Sequence, residues 1–232
     1  MTAQHPISRE HLRTAVDGDR FGVFESARIE RRRGPYERLF KRGLDIVVAG
    51  GVLLVASPLL CLTWLGLRLT LGPGVILTQD RVGRNGRPFR MLKFRTMRHD
   101  RRSTELNFDG TDRRQTHKSD EDPRHTTLGR FIRSISADEL PQLVNVLRGE
   151  MSLVGPRPEL YFVAKRNGIL DHPRHIVRPG LTGLFQTSGL RSKADLSEGL
   201  HLDMAYVINL SMLSDIKILF RTVGALVRRT GA

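Results

Sequence analysis

One apolar run dominates the pattern of hydrophobic and polar positions. From Ile46 to Leu67 the sequence IVVAGGVLLVASPLLCLTWLGL holds 22 residues without a charge. As a helix it would measure about 33 Å, against a hydrocarbon core of about 30 Å. Length alone predicts a transmembrane segment, but the flanks disagree. Six Lys or Arg lie between Arg31 and Arg42, and seven more lie between Arg81 and Arg98 with no acidic residue among them. Both flanks therefore read as cytoplasmic under the positive-inside rule. A straight span cannot satisfy that, whereas a helix broken midway and returning can. Ser57-Pro58 sits at the centre of the run, where proline removes a backbone hydrogen bond. The pattern predicts a re-entrant membrane helix broken at Ser57 and Pro58; a proline-kinked span is the alternative. A cleaved signal peptide is disfavoured because the run starts far from Met1.

The rest of the chain alternates short apolar pieces with polar ones. Residues 1–37 carry many charges and little periodicity, and read as a basic, flexible or surface-lying tail whose Arg31, Arg32 and Arg33 can hold anionic membrane lipids. After Gly72-Pro73-Gly74, VILTQDRV and PFRMLKF flank Asn85-Gly86, a hairpin signature. Alternation along the second strand would place Lys93 and Arg95 on one face and Phe94 on the other. Charge that blunts an edge strand explains the same residues equally well. Asp100 to Pro123 is polar and reads as a surface loop or lid. Thr126 or Thr127 can cap a short helix through Ser134, and Ser136 with Glu139 forms a capping box for a helix from about Ala137 to Leu147. Near the C-terminus, Leu202, Ala205, Tyr206 and Asn209 share a helical face, and the basic, apolar tail suits an interfacial helix. The fold class expected is α+β and helix-rich. A tail (1–37), a re-entrant helix (38–72) and a membrane-associated catalytic domain (73–232) with a small β-hairpin make it up.

Composition narrows the function. With 232 residues the chain can bury one proper core. Its formal charge of +14 suits nucleic acid, anionic lipid or phosphorylated substrates. Nucleic acid is disfavoured because it gives no reason for the uncharged run. A single cysteine, Cys61, excludes an internal disulfide and a cysteine-based zinc site. His99, His117 and His125 lack metal-ligand spacing, and no dinucleotide or P-loop glycine pattern is present.

The chemistry concentrates in SADELPQLVNVLRGEMSLVGPRPE, Ser136 to Glu159. Adjacent carboxylates, Asp138 and Glu139, fall at an expected helix start, where unpaired N–H groups and the dipole favour anions. A capping role for Glu139 and a dipole role for Asp138 compete with catalysis. Pro156 and Pro158 fix the backbone around Arg157, giving a preorganised phosphate fork or a structural ion pair.

These strings resemble the bacterial sugar transferase family, monotopic phosphoglycosyl transferases that start glycan assembly on a polyprenyl phosphate. The resemblance runs through KRGLD (Lys41–Asp45), LKFRTM (Leu92–Met97), DELPQLVNVLRGEMSLVGPRP (Asp138–Pro158), RPGLTG (Arg178–Gly183) and LDMAYV (Leu202–Val207), over roughly residues 40–222. It implies a re-entrant helix and a substrate-contacting role for Arg133, and it places Lys93 and Arg95 near the diphosphate or the membrane surface. Family members commonly carry an arginine just after the last Gly of the segment following RPGLTG. Here Leu190 intervenes before Arg191, so Arg178 is the fallback cation. Asp203 matches an acidic residue of the family's motif, for which a structural role is the alternative.

The implied reaction is transfer of a sugar 1-phosphate from a UDP-sugar to polyprenyl (undecaprenyl) phosphate, with release of UMP. Asp138 is the expected nucleophile and Glu139 the expected Mg²⁺ ligand, with Arg133, Arg157, Arg191, Lys93 and Arg178 on the phosphates. The implied location is the cytoplasmic face of the bacterial inner membrane. A catalytically silent, lipid-binding scaffold is the alternative reading. The sugar, the glycan pathway and the oligomeric state, a dimer included, stay open.

Overall fold

The computed structural model describes residues 34–98, 126–188 and 196–227. The tail before residue 34, the expected lid at 100–123 and Arg191 lie outside the described residues. A short π-helical turn, Tyr36–Phe40, leads into α1, Lys41–Leu71. Strands β1 (Ile76–Val82) and β2 (Pro88–Phe94) follow, then α2 (Thr127–Ser134), a 3₁₀ turn at Ala137–Glu139 and α3 (Gln142–Arg148). Next come β3 (Ser152–Val154), α4 (Tyr161–Arg166), a 3₁₀ turn at Pro173–Ile176, β4 (Gly180–Thr182) and α5 (Leu184–Thr187). Helices α6 (Leu196–Ile208) and α7 (Met212–Val227) complete the order.

At 31 residues, α1 is about 46 Å long. By length and composition it could cross a membrane. The expected break at Ser57-Pro58 is corrected: the helix runs continuously with Pro58 inside it. Proline has no N–H to give the Leu54 carbonyl four residues back. The Ser57 hydroxyl donates to that carbonyl instead, at 2.8 Å. The local hydrogen-bond deficit is thereby filled without ending the helix.

One stripe of α1 faces inward along its whole length. Lys41, Asp45, Ala49, Thr63 and Leu67 are buried, and Leu53, Leu60 and Leu71 pack against the core between and beyond them. Steps of three and four residues keep these positions on one helical face. The other faces expose Val47, Leu54, Val55, Leu62 and Leu69, with Val55 82% exposed.

The hairpin forms as the Asn85-Gly86 signal predicts. Strands β1 and β2 pair antiparallel from Ile76↔Phe94 to Val82↔Pro88. Both turn residues have positive φ, 57° and 72°, as a primed turn requires. A second sheet pairs β3 and β4 in parallel. A Cβ on Gly180 would overlap the Gly155 backbone, and one on Gly183 would overlap the Gly155 carbonyl. The glycines of VGPRP and RPGLTG thus let two backbone segments touch.

Two apolar clusters hold the body together. Ala49, Met91, Leu143, Val146, Met151, Val154, Tyr206, Val207 and Ile218 belong to the larger one. Leu67, Val75, Phe94, Ile132 and Ala137 form the smaller, which sits next to Asp138 in sequence.

Candidate active site

The expected helix from Ala137 to Leu147 is corrected in its first turn. Ser136 adopts left-handed φ 56°, ψ 19° and makes no side-chain cap, so the capping box is absent. Pro141 is the physical reason. It has no N–H for the Ala137 carbonyl, so that carbonyl is taken by the Leu140 N–H at 3.2 Å in a tighter turn. Regular α-helix resumes only after Pro141, which stands at its N-cap. A serine at positive φ is uncommon, and such backbone is frequent at functional sites. Here it turns Ala137–Glu139 toward strand β2.

Lys93 meets the acidic pair from that strand. Its Nζ lies 2.7 Å from Asp138 Oδ2 and 3.6 Å from Glu139 Oε1. Asp138 is only 3% exposed. Burial raises its carboxyl above the usual range; the charge and hydrogen bond of Lys93 pull it back down, Glu139 pushes it up, and Arg133 pulls it down again. Lys93 and Arg133 thus favour the charged form of Asp138 against its burial. Arg133 arrives on α2, whose N-cap is Thr126, with Thr126 Oγ1 accepting from the Gly129 N–H at 3.0 Å. Its Nη1 rests 3.6 Å from Met97 Sδ.

The other sequence candidates divide. Arg157 lies in the loop joining β3 to α4 and is half-buried. Arg178 is placed elsewhere: its Nε–H donates to the Gly149 carbonyl at 2.8 Å, at the C-terminal end of α3, whereas Asp138 precedes the N-terminal end. It satisfies a helix end there, together with Arg42, which donates to the Leu147 carbonyl at 2.8 Å. Arg95 does not accompany Lys93. It lies past the end of β2, where its Nη2 donates to the Leu71 carbonyl at 2.7 Å and closes the end of α1.

Asn145 was not read from the sequence as a site residue. It is fully buried on α3, accepts from the Leu92 N–H at 2.9 Å and donates to the Arg90 carbonyl at 2.8 Å. It thereby fixes the strand position next to Lys93 against the helix that follows Asp138. A lone amide inside LVNVL was the available signal. Asp203, placed by resemblance only, is buried and forms an ion pair with Arg174 at 2.7 Å.

Among the described residues no cluster of three or more His, Cys, Asp or Glu could enclose a metal. Two adjacent carboxylates remain compatible with Mg²⁺, which keeps several waters and takes one or two protein carboxylates beside substrate phosphates.

The sequence model of the family described as "Bacterial sugar transferase" matches residues 36–229. An undecaprenyl-phosphate galactose phosphotransferase of Salmonella typhimurium is 41% identical over 201 residues, covering 84% of this chain and 42% of that protein. A UDP-glucose:undecaprenyl-phosphate glucose-1-phosphate transferase of Escherichia coli is 40% identical, over 80% of this chain and 40% of its own. The exopolysaccharide production protein ExoY of Rhizobium meliloti is 39% identical over 85% of this chain and 90% of its own length. The chain belongs to the bacterial sugar transferase family. It spans about two fifths of the larger relatives it matches.

Proposed function

We propose that this protein transfers a sugar 1-phosphate from a UDP-sugar to polyprenyl phosphate at the cytoplasmic face of a membrane, releasing UMP and forming a polyprenyl-diphospho-sugar. The observation that carries the reading is the buried Asp138 beside Glu139, both within reach of Lys93. Asp138 attacks the β-phosphorus, the bridging P–O bond breaks, and UMP leaves with that oxygen. An oxygen of the lipid phosphate then attacks the phosphosugar-aspartate and Asp138 departs as carboxylate. Both substrates and the nucleophile are anionic, so the residues around Asp138 must neutralise clustered charge.

Lys93 opposes the burial that raises the Asp138 carboxyl, and Arg133 and Arg157 bind the phosphoryl oxygens. Arg191, from the segment after α5, is assigned the same task. Glu139 would hold Mg²⁺, which supplies charge neutralisation on the diphosphate. The exposed apolar face of α1 supports the lipid half of the reaction, because it would set Asp138 near the plane where a membrane-held phosphate emerges.

UMP release by detergent-solubilised wild type and Asp138→Asn tests the reading, with Mg²⁺, undecaprenyl phosphate and a panel of UDP-sugars. Release that requires one sugar, the lipid and Asp138 is expected. Undiminished release by Asp138→Asn removes the nucleophile, and silence of the wild type with every donor favours a lipid-binding scaffold.

A further inference from the structure

The loop that carries Arg157 is held at four successive carbonyls by three separate parts of the chain: strand β1, the 3₁₀ turn at Pro173–Ile176 and strand β4. The Pro156 carbonyl accepts from the Gly180 N–H at 2.9 Å, and the Glu159 carbonyl accepts from the Val82 N–H at 2.9 Å. Between them, the Pro158 carbonyl accepts from Arg81 Nη1 at 3.1 Å, and the Arg157 carbonyl accepts from Arg174 Nη2. The two flanking prolines already restrict the dihedrals here. Little freedom is left to the backbone under Arg157.

Arg174 is 3% exposed and Asp203 1%. A buried ion pair is weak evidence for stability, because apolar residues of similar volume often hold a core as well. An apolar pair could not, however, donate to the Arg157 carbonyl. Asp203 fixes Arg174 in turn, through the 2.7 Å ion pair to its Nη2, and the Arg157 backbone N–H favours the charged form of Asp203. Arg81 is anchored in turn, with its Nη2 donating to Gln79 Oε1 at 2.8 Å.

We propose that Arg81, Arg174 and Asp203 are positioning residues of the transfer reaction, fixing the backbone beneath Arg157 so that its guanidinium meets the transferring phosphoryl group already oriented. The proposal rests on the reading of Arg157 as a phosphate-binding residue. Preorganised donors need not reorganise as charge develops, and a misplacement of about 1 Å can cost roughly 100-fold in rate. The effect falls on kcat more than on donor KM, because orientation matters most in the transition state.

A double-mutant cycle on the full chain in detergent separates positioning from general stability. Asp203→Asn and Arg81→Met are made in the wild-type and Arg157→Ala backgrounds, with kcat, donor KM and thermal midpoint measured for each. Arg157→Ala alone is expected to lower kcat by roughly 100- to 1,000-fold. Asp203→Asn and Arg81→Met are each expected to lower it by roughly 10- to 100-fold in the wild-type background, and by less than about threefold once Arg157 is gone. A wild-type kcat for both single variants, or losses that multiply with Arg157→Ala, overturns the positioning role. A wild-type kcat for Arg157→Ala overturns the reading of Arg157 itself, and the proposal with it. Arg81→Met keeps the test decisive if Asp203→Asn does not fold, since Arg81 reaches the loop from the hairpin and not from the buried pair.

Discussion

Replacing Asp215 by asparagine tests how α1 is fastened to the rest of the molecule. Asp215 is 2% exposed; its Oδ2 accepts from Lys41 Nζ at 2.6 Å and from the Tyr36 hydroxyl at 2.8 Å, and its Oδ1 lies 2.8 Å from the Tyr206 hydroxyl. Lys41 Nζ also donates to the Val154 carbonyl at 3.0 Å. Asp45 secures the next turn by accepting from the Leu153 N–H and the Ser152 hydroxyl, both at 3.0 Å. Asparagine keeps the shape and one acceptor but leaves the buried Lys41 ammonium without the carboxylate it is paired with. Breaking such a pair costs about 3–5 kcal/mol. For a chain of this size each kcal/mol moves the midpoint by about 2–4 °C, so Asp215→Asn is expected to melt roughly 6–20 °C lower. The assay is the apparent thermal midpoint in detergent at one fixed scan rate, which allows for irreversible unfolding. Lys41→Met with Asp215→Leu removes both charges and is expected to recover most of the loss. A shift under about 2 °C for Asp215→Asn, or a double variant no better than the single one, would refute the argument that this charge pair fastens the helix.

Asn145→Leu leaves the Leu92 N–H and the Arg90 carbonyl without their partner and is expected to cost about 2–4 kcal/mol, read as a lower urea midpoint at unchanged slope; an unchanged midpoint contradicts it. Ser57→Ala strands the Leu54 carbonyl at a cost of about 1–3 kcal/mol, and adding Pro58→Ala restores an N–H at that position. If the double variant melts no higher than Ser57→Ala alone, the hydroxyl does not replace the missing bond. Burial and the neighbouring Arg174 hold His172 at a pKa of about 4 and His175 at about 3. Both are lowered, so the unfolded chain binds the extra protons. Stability is full above about pH 6.5 and falls by about 1.4 kcal/mol per pH unit per histidine as pH drops toward those values. His172→Gln with His175→Gln should flatten that decline, and an equally steep fall in the variant sinks the assignment. Single cysteines at Gly34 and Gly74 in a Cys61→Ser background should label from the same side of a sealed vesicle; labelling from opposite sides would make α1 a span.

Features legible in the sequence were local. The uncharged run specified α1, Asn85-Gly86 specified the hairpin, and Thr126 specified the start of α2, because each signal lies within a few residues of its effect. The site depended on distant partners. Lys93 meets Asp138 from a separate strand, and only the left-handed Ser136 and the turn imposed by Pro141 aim that carboxylate at it. The capping-box pattern pointed to the right residues for a reason the backbone does not use. Strands β3 and β4 have three residues each, too few for an alternating pattern to show. Their pairing follows from the close approach of Gly155 and Gly180. Charge and motif context at Arg178 and Arg95 do not reveal the carbonyls their guanidinium groups serve, those of Gly149 and Leu71.

The two ends of α1 bear on how the protein meets a membrane. At its start, Lys41 and Asp45 are bonded to Asp215 and to β3. At its end, Leu67 packs with Phe94 and Ile132, and the Leu71 carbonyl is closed by Arg95. Both sets of partners belong to one packed body. A helix of about 46 Å crossing a bilayer would put its ends on opposite sides, so one of these sets of contacts would have to break. Basic residues on both flanks disfavour a span on separate grounds, because translocating either flank opposes the positive-inside rule. The two arguments point the same way. They favour, for the proposed reading, a helix that would enter a bilayer from one side through Val47, Leu54, Val55, Leu62 and Leu69 while its inner stripe stays on the domain. Since α1 ends beside the cluster that contains Ala137, the depth at which that outer face settles would also set the height of Asp138 above the lipid.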